Sequence, residues 1–369
     1  MKEFVIKSIV SENIEAELEK IGFDIAYRAK ASDKFRYKTF KVYDLTLPQA
    51  NILKQTALSF GADCGVHREV LTSKIEKTDV ILGGSFSQLK KIAEKLKLQP
   101  FSLKVLAEYI ENQLSLQERN TKIVGILNLT PDSFSNDGII EPEKAIERLY
   151  QLVEEGADMI DIGAESTRPN SKSVDAEEQI KRLSLVIKEL KNISIPISVD
   201  TKNSQVARFA LENGVKFIND VSGLQEDEQM VNVIAEYNAG IIIQHSTGMA
   251  ENAVEYNDVV EDVYKFLRNK AEFAKSKGIN DIIIDVGIGF GKTREDNYKI
   301  LDRIEEFYSL NLPLMVGISR KSLLNVQDDD NGLKDSLTLA LNYPLMRKGV
   351  DYLRVHNVKL HKQLHNSAI

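Results

Sequence analysis

Short apolar runs alternate with amphipathic stretches from residue 122 to the end of the chain. Runs of this length suit buried parallel strands, and the stretches between them repeat apolar positions at helical spacing. The predicted strands are Ile123–Leu127, Met159–Ile162, Pro196–Val199, Lys216–Ile218, Gly240–Ile243, Asp281–Ile284, Leu314–Val316 and Tyr352–Val355. The predicted helices include Glu143–Glu155, Ala176–Lys191, Val259–Lys277 and Leu333–Lys348. Eight strand–helix units over roughly 240 residues predict an α/β fold, a (β/α)8 TIM barrel, and a doubly wound open sheet is the structural alternative.

The first 115 residues have a mixed pattern that predicts a smaller N-terminal α/β domain. Strands are predicted at Phe4–Val10, Phe40–Val42 and Val80–Gly84, and helices at Pro48–Phe60 and Phe86–Leu96. The polar residues 111–122 predict a linker. We therefore divide the chain into an accessory domain of residues 1–115, to which no chemistry is assigned, and a catalytic domain of residues 122–369.

Composition narrows the class of protein by exclusion. The 369 residues are 43% hydrophobic and 28% charged, which suits a globular protein of two domains. The net charge of -7 argues against nucleic acid as a partner. A single cysteine, Cys64, permits neither an intramolecular disulfide nor a cysteine-rich zinc site. No apolar run has the length of a membrane span or a signal peptide, so we expect a cytoplasmic protein with no membrane partner.

Polar residues follow the predicted strands of the second domain, each at the point where a strand ends. Asn128 follows the first strand, and Asp200 and Asn219 end the third and fourth. Lys321 follows the seventh strand, and Arg354 lies in the eighth. Because the carboxyl ends of the strands of a barrel meet at one mouth, this distribution predicts an active site there.

Seven blocks of sequence resemble one enzyme family, the dihydropteroate synthases. They are ILNLTPDSFS, DIGAESTRP, ISVDT, FINDVSG, DVGIGFGKT, VGISRKS and RVHNV, in family order between about residues 122 and 360. The resemblance implies a transferase of folate biosynthesis. Such an enzyme joins 6-hydroxymethyl-7,8-dihydropterin pyrophosphate to p-aminobenzoate, releases pyrophosphate and 7,8-dihydropteroate, and is a target of sulfonamides. The first 115 residues lie outside the resemblance.

The resemblance assigns a pterin site to five residues. A pterin presents an edge of ring nitrogens and an exocyclic amine, which buried carboxylates and amides suit. Asp200, Asn219 and Asp285 take this edge in the family pattern. Lys321 supplies a cation near the pterin carbonyl, and Arg354 lies flat on the pterin face, because a guanidinium both stacks and forms forked hydrogen bonds.

The leaving group and the ion are implied in the same way. Asn128, Arg354 and His356 match the family's pyrophosphate positions. Mg²⁺ is the expected ion, with Asn128 as its protein ligand, because Mg²⁺ is usually held by phosphate oxygens, water and few protein groups. A stabilised leaving group permits an SN1-like path through a cationic pterin methylene, which the aromatic amine attacks. For His356 a purely structural role is the alternative.

Five further residues are expected around p-aminobenzoate. They are Thr167, Arg168, Pro169, Phe290 and Ser322. Ser322 is expected to open a helix that receives the substrate carboxylate. We expect the two small-molecule substrates as ligands and a homodimer as the assembly.

A catalytic carboxylate is expected in the loop after the first strand. The family usually has an aspartate directly after Ser-Phe-Ser, where this chain has Asn136 followed by Asp137. We predict that Asp137 does that work, displaced by one residue in a pliable loop. The alternative is that Asp137 merely caps a turn.

Two other functions compete with the synthase. Pterin-binding barrels also occur in cobalamin-dependent methyltransferases that use methyltetrahydrofolate, which need no pyrophosphate site. A degenerate folate-binding or regulatory barrel without enzymatic activity is the other. The TPDSF, STRP and SRKS blocks together favour the synthase. Gln244, where the family commonly has a methionine in the pterin pocket, is a departure from the pattern.

Overall fold

The computed structural model describes residues 5–10, 13–115, 119–130, 141–165, 174–247, 253–326 and 330–368. The chain divides into two compact units, Met1–Gln117 and Glu118–Ile369. Several predicted site residues lie outside the described residues, namely Asn136, Asp137, Thr167, Arg168 and Pro169. Within the described part of the chain, no helix is long and apolar enough to cross a membrane.

The first unit is a small antiparallel sheet covered by helices. Strands β1 (Tyr37–Thr46), β2 (Asp63–Val66) and β3 (Lys77–Ser85) pair in the order β1-β3-β2. The helices are α1 (Ile14–Lys20), α2 (Arg28–Ser32), α3 (Leu47–Ser59), α4 (Phe86–Leu96) and α5 (Leu103–Leu114), with 3₁₀ turns at Ile25–Tyr27 and Arg68–Val70. Apolar side chains of α3, α4, α5 and β3 form a core of their own, so this unit is a folded body.

Two expectations for the first unit are wrong, and one predicted strand is confirmed. Residues 5–10 are exposed and have no regular structure, so the strand predicted there is not found. Residues 111–114 end helix α5 rather than starting a linker, because Leu114 packs into the core. Gly83 and Gly84 lie inside β3, where the predicted strand does form. A side chain at Gly83 would collide with the Tyr37 ring of the paired strand, so cross-strand packing explains this glycine.

The second unit is a closed barrel of eight parallel strands, which confirms the predicted (β/α)8 fold. The strands are β4 (Lys122–Asn128), β5 (Met159–Gly163), β6 (Ile197–Asp200), β7 (Phe217–Asp220), β8 (Gly240–Gln244), β9 (Ile282–Asp285), β10 (Leu314–Val316) and β11 (Tyr352–Val355). Neighbours in the barrel are neighbours in the chain, and β11 pairs with β4 to close it.

Helices connect these strands. They are α6 (Pro142–Glu154), α7 (Ala176–Leu183), α8 (Ser204–Glu212), α9 (Met230–Glu236), α10 (Val259–Ser276), α11 (Arg294–Asp302), α12 (Asn331–Lys348) and α13 (Val358–Ala368), with 3₁₀ segments at Leu190–Asn192, Ile304–Leu310 and Ser322–Leu324. The helix predicted over Ala176–Lys191 ends early at Leu183. Beyond it the backbone continues mainly in turns, as in the bond from the Val186 N–H to the Leu183 carbonyl.

The barrel interior has an apolar layer below a polar one. Val124, Met159, Ile242, Ile283 and Met315 come from five different strands and form one buried cluster. Side chains two positions apart point to the same face of a strand. The inward positions two residues further along β5, β8 and β9 are therefore Asp161, Gln244 and Asp285. The apolar layer closes the barrel floor, and the polar layer faces the carboxyl ends of the strands.

Candidate active site at the barrel mouth

Two carboxylates and an amide lie buried at the carboxyl ends of three strands. Asp200 ends β6, Asn219 is the penultimate residue of β7, and Asp285 ends β9. Their exposed fractions are 7%, 1% and 3%. The parallel register pairs Asp200 directly with Asn219, so these two side chains are neighbours. Three of the predicted pterin residues are thus placed at the barrel mouth.

Arg354 connects carboxylates of two strands. Its Nε donates to Asp161 Oδ2 at 2.6 Å, and its Nη2 donates to Asp200 Oδ2 at 3.1 Å. The guanidinium is 16% exposed, and Asp161 is fully buried. Arg354 therefore reaches the mouth from β11 and is held there by ion pairs on its inner side.

Burial changes the acidity of the two aspartates. Burial, together with the negative charges of Asp161 and Glu165, raises the pKa of Asp200 to about 7, although the charge of Arg354 opposes this. Burial also raises the pKa of Asp285, against the opposing charge of Lys321. The mouth therefore holds a carboxyl group that titrates near neutral pH.

Lys321 enters the site from the loop after β10. Its Nζ donates to the Ile288 carbonyl at 2.6 Å and lies 4.6 Å from the centre of the Phe290 ring. Burial lowers the pKa of Lys321 to about 8, although the Asp285 charge opposes this.

The glycine-rich loop after β9 is held by a buried lysine. Lys292, 1% exposed, donates from Nζ to the carbonyls of Gly287 at 2.8 Å and Phe290 at 3.0 Å. The Gly287 N–H donates to Asp285 Oδ1 at 2.7 Å. Gly287 has φ +64°, and a side chain there would overlap the His245 carbonyl. Lys292 therefore shapes the loop that carries Phe290, and its ammonium is engaged by main-chain oxygens.

His356 directly follows β11, and Asn128 ends the neighbouring strand β4, so both lie at the mouth. Ser319 Oγ accepts the His356 main-chain N–H at 3.1 Å and lies 2.9 Å from His356 Nδ1, which fixes the ring. Asn128 ends β4, which pairs with β11, and its Oδ1 lies 3.2 Å from the position that a Cβ atom at Gly163 would take. All three predicted pyrophosphate residues, Asn128, Arg354 and His356, are therefore at the mouth.

The structure corrects one expectation about p-aminobenzoate. Ser322 is exposed and begins only a three-residue 3₁₀ turn, Ser322–Leu324, while helix α12 begins at Asn331. Too few N–H groups align in one turn for the strong helix terminus that was expected. Phe290 is partly buried beside Lys321, where it can contact a ligand.

Asp161 and Ser198 belong to the site but had no predicted role. Asp161 accepts hydrogen bonds from Ser198 Oγ at 2.6 Å, Asn219 Nδ2 at 3.0 Å and Arg354 Nε at 2.6 Å. Their signal in the sequence is a single acidic residue and a single serine inside apolar strands, each at an inward-facing position.

Fold and site together define a barrel enzyme whose mouth holds carboxylates, an amide and two cations. A family model described as pterin binding enzyme matches residues 124–356. The bifunctional dihydropteroate synthase/dihydropteroate reductase of Helicobacter pylori is 33% identical, and the match covers 98% of this chain and 97% of the relative. The dihydropteroate synthase of Clostridium beijerinckii is 36% identical over 67% of this chain and 92% of its own length.

A solved structure agrees with these relatives. The crystal structure of Clostridium difficile dihydropteroate synthase in the presence of pteroic acid has a TM-score of 0.64 and 38% identity, and covers 68% of this chain and 97% of its own. The chain belongs to the dihydropteroate synthase family of pterin-binding enzymes.

Proposed function

We propose that the protein joins 6-hydroxymethyl-7,8-dihydropterin pyrophosphate to p-aminobenzoate, giving 7,8-dihydropteroate and pyrophosphate. The observation that carries this proposal is the buried set of Asp200, Asn219 and Asp285, with Lys321 and Arg354 beside it. Acceptors of this kind suit the N–H groups on the edge of a dihydropterin. A related enzyme, that of Thermus thermophilus, was solved in complex with 6HMPPP and, separately, with 4-aminobenzoate.

The proposed roles follow from charge and position. Asp200, Asn219 and Asp285 accept N–H groups of the pterin, and Lys321 donates to its carbonyl. The Arg354 guanidinium has its inner edge bound to Asp161 and Asp200, so its face and remaining N–H groups are left for the pterin ring and the phosphate.

The reaction exchanges one bond for another at the pterin methylene. The C–O bond to the diphosphate breaks and its electron pair leaves on oxygen, where Arg354, His356 and Asn128 stabilise the charge. The amine nitrogen of p-aminobenzoate then bonds to the methylene carbon and loses a proton to water. An SN1-like order suits a weakly nucleophilic aromatic amine. Asp137 is proposed to orient that amine or stabilise the cation.

Mg²⁺ is proposed to bind with the diphosphate. The described residues contain no group of three or more His, Cys, Asp or Glu that would cage a metal alone. Asn128 supplies one amide oxygen at the mouth, which fits an ion held mainly by phosphate oxygens and water. When bound, Mg²⁺ would neutralise charge on the leaving group.

The p-aminobenzoate site is proposed to lie beside this pocket. Phe290 is proposed to form an apolar wall of this site. Ser322, which directly follows Lys321 in the chain, is proposed to line it as well. Thr167, Arg168 and Pro169 are proposed to complete it. Sulfonamides, as analogues of p-aminobenzoate, should then inhibit competitively with that substrate. A homodimer and a cytoplasmic location are part of the same proposal.

The test is a pyrophosphate-release assay in which each substrate is omitted in turn. We expect release only when both are present, together with 7,8-dihydropteroate detected by mass spectrometry. Methyl transfer from methyltetrahydrofolate to a corrinoid acceptor, without pyrophosphate release, would instead establish the methyltransferase alternative. Tight pterin binding without either reaction would indicate an inactive binding barrel.

A second activity is proposed from the extent of one comparison. Synthases such as that of Clostridium beijerinckii match 67% of this chain, whereas the Helicobacter pylori relative, named also as a dihydropteroate reductase, matches 98%. The additional third includes the first unit, which has its own sheet and core. We infer that this chain also catalyses the reduction of dihydropteroate, in which the substrate accepts a hydride from a reduced nicotinamide or flavin and a proton from water.

This second activity has a direct test. Oxidation of reduced nicotinamide, with and without added flavin, is followed on adding 7,8-dihydropteroate to the full chain and to a protein beginning at Glu118. We expect oxidation that depends on dihydropteroate in the full chain only, while both proteins release pyrophosphate. No oxidation in the full chain, or equal oxidation in both proteins, would contradict the assignment.

A further inference from the structure

Asp161 is a fully buried carboxylate in the middle of β5, and both of its oxygens accept hydrogen bonds from side chains of other strands. Its Oδ1 accepts from Ser198 Oγ at 2.6 Å. Its Oδ2 accepts from Asn219 Nδ2 at 3.0 Å and from Arg354 Nε at 2.6 Å. Asp161 therefore touches two of the residues proposed to bind the pterin while lying below them.

The contact with Asn219 determines which way its amide points. The two ends of a carboxamide have nearly the same shape but opposite hydrogen-bonding character. A carboxylate only accepts, so the end of Asn219 that faces Asp161 must be the NH₂ group. The carbonyl Oδ1 of Asn219 then faces away from Asp161.

That carbonyl oxygen is buried and unsatisfied. Asn219 is 1% exposed, and its Oδ1 has no hydrogen-bond partner within the described ranges. A buried acceptor without a partner is costly, and such groups in native structures usually meet a ligand or water. A ligand that donates an N–H at this point satisfies it, whereas a ligand that presents an acceptor meets a second acceptor.

We propose that Asp161 is a positioning residue that selects the substrate through Asn219. By holding the Asn219 NH₂ group, it keeps Oδ1 towards the ligand and makes the site specific for a heterocycle with an N–H donor at that point. Without Asp161, the amide is free to rotate and present either end. This inference rests on the proposed function, because it takes the ligand to be a pterin.

The experiment measures discrimination rather than activity. Affinities are determined for 6-hydroxymethylpterin and for a panel of analogues, each with one N–H replaced by an acceptor or a C–H. In the wild-type protein we expect one analogue to bind roughly tenfold to hundredfold more weakly, because a buried polar group then loses its partner. In Asn219→Leu that analogue should bind about as tightly as 6-hydroxymethylpterin does. The loss of the difference identifies it as the analogue that lacks the N–H facing Asn219.

Two substitutions of Asp161 then separate positioning from packing. Asp161→Leu removes the acceptor, so we expect the discrimination to fall below about threefold, with no further fall when it is combined with Asn219→Leu. Asp161→Asn keeps an oxygen towards Asn219 if its own NH₂ group faces the Ser198 hydroxyl, so we expect most of the discrimination to survive. Ser198→Ala, which leaves the Asn219 contact in place, is the matched control and should also retain it.

Full discrimination in a folded Asp161→Leu protein would overturn the proposal. If that variant does not fold, the wild-type protein gives the answer by NMR, with the Asn219 side-chain resonance assigned from its loss in Asn219→Leu. Protection of its NH₂ hydrogens from exchange is expected, and exchange at the rate of free solvent-exposed amides would overturn the proposal. Absence of any pterin binding in the wild-type protein would instead refute the proposed function.

Discussion

Replacing Asp285 by asparagine is a sensitive probe of pterin recognition. Asp285 is 3% exposed, and its Oδ1 already accepts the Gly287 N–H at 2.7 Å. An asparagine oxygen can keep that bond, so its NH₂ group takes the place of the second carboxylate oxygen. A donor then faces a substrate edge that itself donates. The substitution therefore keeps the hydrogen bond to the Gly287 loop but places a donor, in place of an acceptor, against the ligand.

The expected loss follows from the cost of a mispaired buried group. Removing a charged partner in a buried contact costs about 3 kcal/mol, which is roughly a hundredfold in kcat/KM for the pterin substrate. The assay is pyrophosphate release, with thermal unfolding to show that the protein is folded. The Asp285 charge also raises the pKa of Lys321, so that pKa should fall in the variant.

Asp281→Asn provides the matched control. Asp281 is exposed and directly precedes the same strand, at the opposite end of the barrel, so we expect it to leave kcat/KM unchanged. A folded Asp285→Asn protein with kcat/KM within about threefold of wild type would refute the assignment of Asp285 to the pterin.

Three further predictions concern pH, the first loop and the first unit. The pKa of Asp200 is raised to about 7, so its carboxylate forms as pH rises through 7, and the pKa of Lys321 is lowered to about 8, so its ammonium is lost above 8. We therefore expect kcat/KM for the pterin substrate to rise through about pH 7 and fall above about pH 8, and a flat profile from 6 to 9 would contradict these roles. Asp137→Ala should lower mainly kcat at saturating substrates while Asn136→Ala is mild, whereas equal small effects or a larger loss at Asn136 would eliminate the displaced aspartate. A protein beginning at Glu118 should retain synthase turnover, and a folded truncation without any turnover would count against an accessory role for the first unit.

The barrel could be predicted because each of its strands can be identified from its own short stretch of sequence. Each strand is a continuous apolar run, since both of its faces are buried, and a polar residue marks its end. Leu314–Val316 and Tyr352–Val355 were predicted to the residue. The first unit was harder to predict from the sequence. Its strand β2, Asp63–Val66, has only four residues, which alternate between exposed and half-buried positions. Its pairing with β3 is set by the sheet and not by its own residues.

The sequence predicted which residues form the site but not which of them contact one another. Asp200, Asn219 and Asp285 could be placed at the mouth because strand ends converge in any such barrel. The role of Asp161 depends on which residues of β7 and β11 lie beside it, and that follows only from barrel register and closure. The raised pKa of Asp200 likewise arises from burial and from charges on other strands. Neither the contacts of Asp161 nor the raised pKa of Asp200 can be inferred from a short stretch of sequence.

The most direct test of this account is a crystal structure with a non-hydrolysable analogue of 6-hydroxymethyl-7,8-dihydropterin pyrophosphate. We expect the heterocycle within the barrel mouth, with N–H groups in hydrogen-bond range of Asn219 Oδ1 and the carboxylates of Asp200 and Asp285. The diphosphate should lie towards Arg354 and Asn128. A heterocycle bound away from these three acceptors, or a mouth left empty at saturating analogue, would contradict it.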